Sequence, residues 1–161
     1  MKPVKLSELI MAIDIDSEEL VTRVDLQNGT VVTVDQSLVS ALEEGDEEVL
    51  SEMAEWAKEE LETARAIADD SGERFVAPPD KFDFNEYRHM ERFIGTVEDA
   101  RAAEDLWRAI KGKGAFRYFK DTANRLGMLK RWYQYRDDGL KECLLDWAEA
   151  NSIPCLDDLK K

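Results

Sequence analysis

The sequence predicts an α+β fold: a small three-stranded antiparallel sheet, made of a hairpin plus one strand, covered by five to six helices, with a helical C-terminal half. Three observations predict it. Two β-rich runs, 20–26 and 30–34, flank Gln27-Asn28-Gly29. Asn-Gly is the dipeptide of a tight hairpin turn, because both central residues take positive φ. A third run, 74–77, is rich in strand formers and ends at Pro78-Pro79, which cannot donate to a ladder. From residue 81 onward the apolar residues recur three and four apart, the helical period. Three strands suffice for a sheet when a helix covers one face.

In chain order, Leu6, Leu9, Ile10 and Ile13 predict a short helix over 4–13. The hairpin follows. Asp14, Asp16, Glu18 and Asp25 occupy positions 1, 3, 5 and 12 of a calcium-loop template, but Glu19 stands where the sharp turn needs Gly. A solvated acidic turn is the better reading. Over 46–70, Val49, Met53, Trp56, Leu61, Ala64 and Ile67 form one apolar stripe among acids, an amphipathic helix with room for one break. Ser71-Gly72 ends it before the third strand. Asp83 and Glu86 are spaced as a capping box, and Phe84, Tyr87, Met90, Ile94 and Val97 form the stripe that follows. Ala100, Ala103, Leu106, Trp107 and Ile110 make a second stripe, ending at Gly112. Phe116, Phe119, Ala123 and Leu126 make a third, closed by Gly127. A last helix spans 128–150 through Leu129, Trp132, Tyr133, Leu140, Leu144 and Trp147, with Gly139 as a place for a kink.

The chain has 161 residues, a single-domain length. The expectation is one domain over 1–161, with an acidic part at 1–80 and a helical part at 81–161. Charge divides the same way. Residues 1–80 hold six Lys/Arg and 21 Asp/Glu, residues 81–161 hold 16 and 15, so the net charge of -14 lies in the first half. A field of that sign repels nucleic acid and anionic membranes at long range. No apolar run approaches the roughly 20 residues of a membrane helix. Asp14 and Asp16 interrupt the apolar start, which argues against a secretory signal. Cys143 and Cys155 read as two reduced thiols. These observations predict a soluble cytoplasmic protein with no membrane partner.

The stretch KGKGAFRYFKDTANRLGMLKRWYQYR at 111–136 carries Lys111, Lys113, Arg117, Lys120, Arg125, Lys130, Arg131 and Arg136 against one acid, Asp121, with aromatics interleaved. The longer run RAIKGKGAFRYFKDTANRLGMLKRWYQYRDDGLKECLLDWAEANSI resembles the C-terminal half of uncharacterised protein family 0158, a group of small bacterial proteins. The Asn28-Gly29 turn, Trp56 with ARAI at 64–67, Phe75 to Pro79, and KFDFNEYRHMERF at 81–93 are similar to it too. G-K-G-A-F-R-x-F-K-D at 112–121 is the most specific piece. The resemblance implies one bacterial cytoplasmic domain of mixed α and β type, and brings no activity, substrate or ligand. His89 lies outside the resembling pattern.

Candidate binding residues are Lys113, Gly114, Arg117, Lys120 and Asn124. Gly112 and Gly114 let the backbone approach a ligand, and a helix opening near Ala115 offers unpaired N–H groups. Arg117, Lys120 and Asn124 stand at i, i+3 and i+7 and share one face, predicted to lie opposite Phe116 and Phe119. The cluster suits an acidic protein partner, a phosphate-bearing ligand, or a nucleic-acid backbone. It is neither a Walker loop nor a dinucleotide fingerprint. The competing reading is that the glycines punctuate helices and the basic face neutralises the chain's own acids. Tyr135 alone among the late aromatics is expected to be free for base stacking.

Catalytic signals are sparse. Ser, Cys and His do not gather as a triad, and His89 is expected to cover helix surface. Cys143, beside Leu144, is expected to be buried and inert. One His and two distant Cys do not make a zinc site, and nothing calls for a cofactor. An enzyme acting on a phosphorylated substrate is therefore the last of three readings, behind a non-enzymatic interaction or regulatory protein and a ligand binder. Oligomeric state is not legible.

Overall fold

A computed structural model describes residues 1–15 and 17–159, with the backbone alone at Trp56; Asp16 of the acidic turn lies outside the described residues. The chain forms two compact units, one of Met1–Asp80 with the stretch from Leu144 onward, the other of Lys81–Cys143.

The first unit opens with β1 (Val4–Lys5) and α1 (Leu6–Asp14), whose Leu6, Leu9, Ala12 and Ile13 are buried. The hairpin forms, but its turn is not the tight Asn-Gly one expected: β2 (Leu20–Asp25) pairs antiparallel with β3 (Thr30–Asp35), Leu20 opposite Asp35 and Asp25 opposite Thr30. This leaves a four-residue loop, 26–29, where Gly29 takes positive φ and Asn28 does not. Gly29 takes φ +67°, the left-handed value the turn demands, and its Cα is pressed against the backbone of Lys2 and Pro3. A helix absent from the sequence reading follows directly, α2 (Gln36–Glu44). Asp35 caps it by accepting the N–H of Ser37, and Gly45 ends it at φ 69°. The acidic stripe is broken once, at Ala57, into α3 (Glu47–Trp56) and α4 (Lys58–Asp69). The third strand is short, β4 (Phe75–Val76), and adds to the other edge of β2, giving the order β3-β2-β4. Val21, Val34, Leu38, Val39, Leu61 and Ala64 form the core between this sheet and its helices.

At the end of β2 lies Asp25, a carboxylate only 4% exposed. It accepts two parallel bonds from the Arg74 guanidinium at 3.0 Å each, plus bonds from the Gln27 and Asn28 amides. A buried charge survives in this way because it is paired and its lone pairs are filled. The Arg74 bonds hold the Asp25 carboxyl below the usual carboxylate range and raise Arg74 in return.

The second unit holds α5 (Lys81–Phe84), α6 (Glu86–Ile94), α7 (Ala100–Ala109), α8 (Ala115–Arg125) and most of α9 (Leu129–Ala150). The capping box expected at Asp83/Glu86 is replaced: Asn85, in the left-handed region at φ 52°, caps α6 by accepting the N–H of Arg88. Asn tolerates that conformation where Asp83, inside α5, has no occasion to cap. The core is aromatic. Trp132, fully buried, meets Phe119 edge-on at 4.9 Å and Phe93 at 5.5 Å between ring centroids. Met90, Ile94, Leu106, Ile110 and Ala123 complete it.

Three aromatics of α6 and α9 depart from their predicted places, and Trp107 of the α7 stripe is exposed as well. Tyr133, expected inside, is exposed, while Tyr135, expected free, packs on Phe93 at 5.4 Å. The reason is angular: three residues on from Trp132 the chain returns to the same helix face, and one residue on it does not. Tyr87 is half out, its hydroxyl donating to the Ile110 carbonyl. The chain returns to the first unit for β5 (Cys155–Leu156), which pairs in parallel with β1, Val4 opposite Cys155. Asp158 then accepts the Ser7 hydroxyl and amide.

Candidate functional site

The predicted helix after the paired glycines is α8, and its first residue is Ala115 as expected. Gly114 is its N-cap, at φ 75° and ψ 20°, with no side chain capping the first turn. The ring of Tyr118 covers the place a β-carbon at Gly114 would occupy, 3.0 Å from Cε2. Glycine is thus needed twice here, for the left-handed backbone and for the ring that lies on it.

Arg117 projects into solvent. Its side chain is 86% exposed, and its one ion pair is a loose one, 4.0 Å to Asp121 one turn on along the same helix. Such a pair is worth little, because both groups stay hydrated. Lys113 and Asn124 are exposed and Lys120 is half-buried. Neither Lys113 nor Lys120 has an ion pair among the described residues. Arg117 thus has a loose partner in Asp121, and the two lysines have none among the described residues.

Other members of the basic stretch are engaged inside the second unit. Arg136, about one-fifth exposed, donates to Glu86 at 2.6 Å and lies over the Phe84 ring. Arg125 reaches Asp105 at 3.3 Å, and Arg131 sits over Phe93 at 5.9 Å. Arg125, Arg131 and Arg136 thus have partners within the second unit, while Arg117 projects from α8.

The aromatic stripe of α8 needs one correction. Phe119 is fully buried as expected, but Phe116 is 46% exposed. On the helix it stands next to Lys120 on one flank of the basic face, while Tyr118, 55% exposed, stands on the other flank. Sequence periodicity locates the centre of a helix face and leaves its edges undefined, so these two rings were not legible as a border.

His89 packs against its own helix neighbourhood. Its ring stacks on Phe84 at 4.2 Å between centroids, and its Nδ1 is 3.1 Å from the Asn85 carbonyl. Cys143 and Cys155 form no disulfide, and burial raises the Cys155 thiol above its ordinary value. Among the described residues no three His, Cys, Asp or Glu are grouped to hold a metal ion, and no helix is long and apolar enough to cross a membrane.

A family model, described as Uncharacterised protein family (UPF0158), matches residues 2–158. The chain belongs to this family. It is similar to UPF0158 protein PA5073 of Pseudomonas aeruginosa (strain PAO1), 34% identical over 65 residues, which cover 40% of this chain and 42% of that protein. The match therefore spans less than half of the relative's length. No solved structure matches the chain.

Proposed function

We propose that this UPF0158 member is a non-enzymatic interaction or regulatory protein of the bacterial cytoplasm, docking an acidic partner on the basic face of α8. The observation that carries the reading is Arg117, 86% exposed and held, among the described residues, only by Asp121 at 4.0 Å. The planar fork of a guanidinium is pre-organised for bidentate pairing with a carboxylate, so less freedom is lost for each bond formed. Lys113, Lys120 and Asn124 extend the donor row, and Phe116 and Tyr118 border it with apolar area. Interfaces gain affinity from such rings and orientation from the charges.

The uncapped first turn of α8 favours a second reading, in which the same residues hold a phosphorylated ligand or a nucleic-acid backbone. A labelled glutamate-rich peptide, titrated by fluorescence anisotropy, tests the first reading, with inorganic phosphate and a random oligonucleotide as competitors. Peptide binding abolished by Arg117→Glu/Lys120→Glu supports docking of an acidic partner. Phosphate or oligonucleotide binding with the same dependence supports the second reading. Indifference of all three probes to the substitution removes the face from consideration.

A further inference from the structure

The acidic first unit carries a row whose spacing matches the basic face of α8. On α3, Glu48, Glu52 and Glu55 are exposed and stand at steps of four and three, so they share one side of the helix. Val49, Leu50 and Met53 occupy the other side and are half-buried. None of the three glutamates has an ion pair among the described residues. Read backwards, α8 presents Asn124, Lys120 and Arg117 at the same steps of four and three. Laid antiparallel, Arg117 meets Glu55, Lys120 meets Glu52, and the Asn124 amide meets Glu48.

We propose that the partner of the α8 face is the α3 face of a second copy of this chain. The proposal rests on the acidic-partner reading above and names the partner. Because the two faces are different surfaces, the contact is heterologous, each copy giving one of each. Exposed ion pairs alone do not hold two proteins together; the rings of Phe116 and Tyr118, bordering the row, supply the apolar contact. Asp121 competes for Arg117, but at 4.0 Å and on a hydrated surface it yields to a better-placed carboxylate.

Net charge gives the association a distinctive salt dependence. Two copies at -14 repel, and that repulsion reaches about 30 Å at 0.01 M salt but only roughly 8 Å at 0.15 M. At about 1 M the screening length falls to roughly 3 Å and the paired side chains themselves are screened. Association therefore rises and then falls as salt is added.

Sedimentation velocity on the full chain, over a wide range of concentration and at these three salt levels, tests the proposal. The expected result is a mass that grows with concentration and most strongly at the middle salt level. Arg117→Glu/Lys120→Glu and Glu52→Lys/Glu55→Lys should each weaken association about tenfold or more. An equimolar mixture of the two variants should restore it, since the reversed α8 of one meets the reversed α3 of the other. Circular dichroism confirms that both variants fold. A wild type that is monomeric at every salt level, or a mixture no better than its components, overturns the proposal. If the glutamate-rich peptide still binds through Arg117 in that case, self-association fails and the acidic-partner reading stands. If it does not, both fail.

Discussion

The imidazole of His89 rests on the bare Cα of Gly139. A β-carbon at that glycine would come within 2.7 Å of the ring Cδ2 and 3.0 Å of Nε2. Moving the ring aside would disturb its stack on Phe84 and its contact with the Asn85 carbonyl. This explains a glycine in the middle of an unbroken 22-residue helix.

Gly139→Ala ordinarily adds about 1 kcal/mol to an exposed helix. Here it should instead cost on the order of 1–3 kcal/mol through overpacking. In the His89→Ala background the same substitution should become stabilising. Urea denaturation of the four members of this cycle measures the reversal of sign, and its absence would show that the contact is slack.

The Asp25–Arg74 pair makes an asymmetric prediction. Asp25→Asn keeps the acceptor for the turn amides and leaves a guanidinium that is one-third exposed and can be hydrated. Arg74→Met leaves a carboxylate that is 4% exposed without its counter-ion. Removing the counter-ion of the more buried charge is the costlier move. At pH 7, Arg74→Met should lose roughly 3 kcal/mol or more and Asp25→Asn about half as much.

The same carboxylate sets a pH dependence. The folded state lowers the carboxyl of Asp25, chiefly through the Arg74 bonds, and those of Asp70 through the Phe75 amide and Asp158 through the Ser7 hydroxyl. A lowered carboxyl gives stability that is full above the unfolded value, about 3.9, and is lost as pH falls through the folded one. Thermal unfolding should therefore show stability falling as pH drops below about 4, and Asp25→Asn should flatten that fall.

Gly29→Ala and Gly45→Ala separate backbone strain from collision. Both glycines take nearly the same left-handed φ, +67° and +69°. A β-carbon at Gly45 meets nothing within 4 Å, whereas at Gly29 it lies 2.6 Å from the Pro3 carbonyl. Gly45→Ala should cost about 1–2 kcal/mol, and Gly29→Ala should exceed it by a further 1–3 kcal/mol or so. Equal losses in calorimetry would mean that the N-terminal strand simply moves aside.

On α8, stability and binding should separate. Arg117→Ala removes no buried contact, so its unfolding free energy should stay within about 0.5 kcal/mol of wild type, while Lys120→Ala, at a half-buried side chain, should cost about 1 kcal/mol at most. Glutamate-rich peptide binding should weaken in both. A stability loss without a binding loss would assign the pair to the scaffold.

Much of this fold was legible because its punctuation is local. Gly29 marks the hairpin although its loop is longer than the Asn-Gly turn expected, Pro78-Pro79 follows the end of β4, and the break at Ala57 falls within a stripe with room for one. Helix α2 was missed although its signals were present: Asp35 as cap, Leu38, Val39 and Leu42 as the inner face, Gly45 as the stop. The β1–β5 pairing was out of reach, since two-residue strands joined across almost the whole chain leave no periodic trace. At the candidate site the start of α8 and the projecting face were readable from glycine placement and spacing. The exposure of Phe116 and Tyr118 was not, because side chains at the margin of a stripe are settled by neighbouring helices that the local pattern does not contain.

The β1–β5 pair has a mechanical consequence. Val4 and Lys5 run parallel to Cys155 and Leu156, with the Val4 amide donating to the Pro154 carbonyl and Ser7 tethered to Asp158. Traction applied to the two ends of the polypeptide loads these bonds together, in shear, where an antiparallel terminal pair would peel one bond at a time. A machine that threads the protein from its tail must therefore break this clasp as a unit before it reaches the last turn of α9.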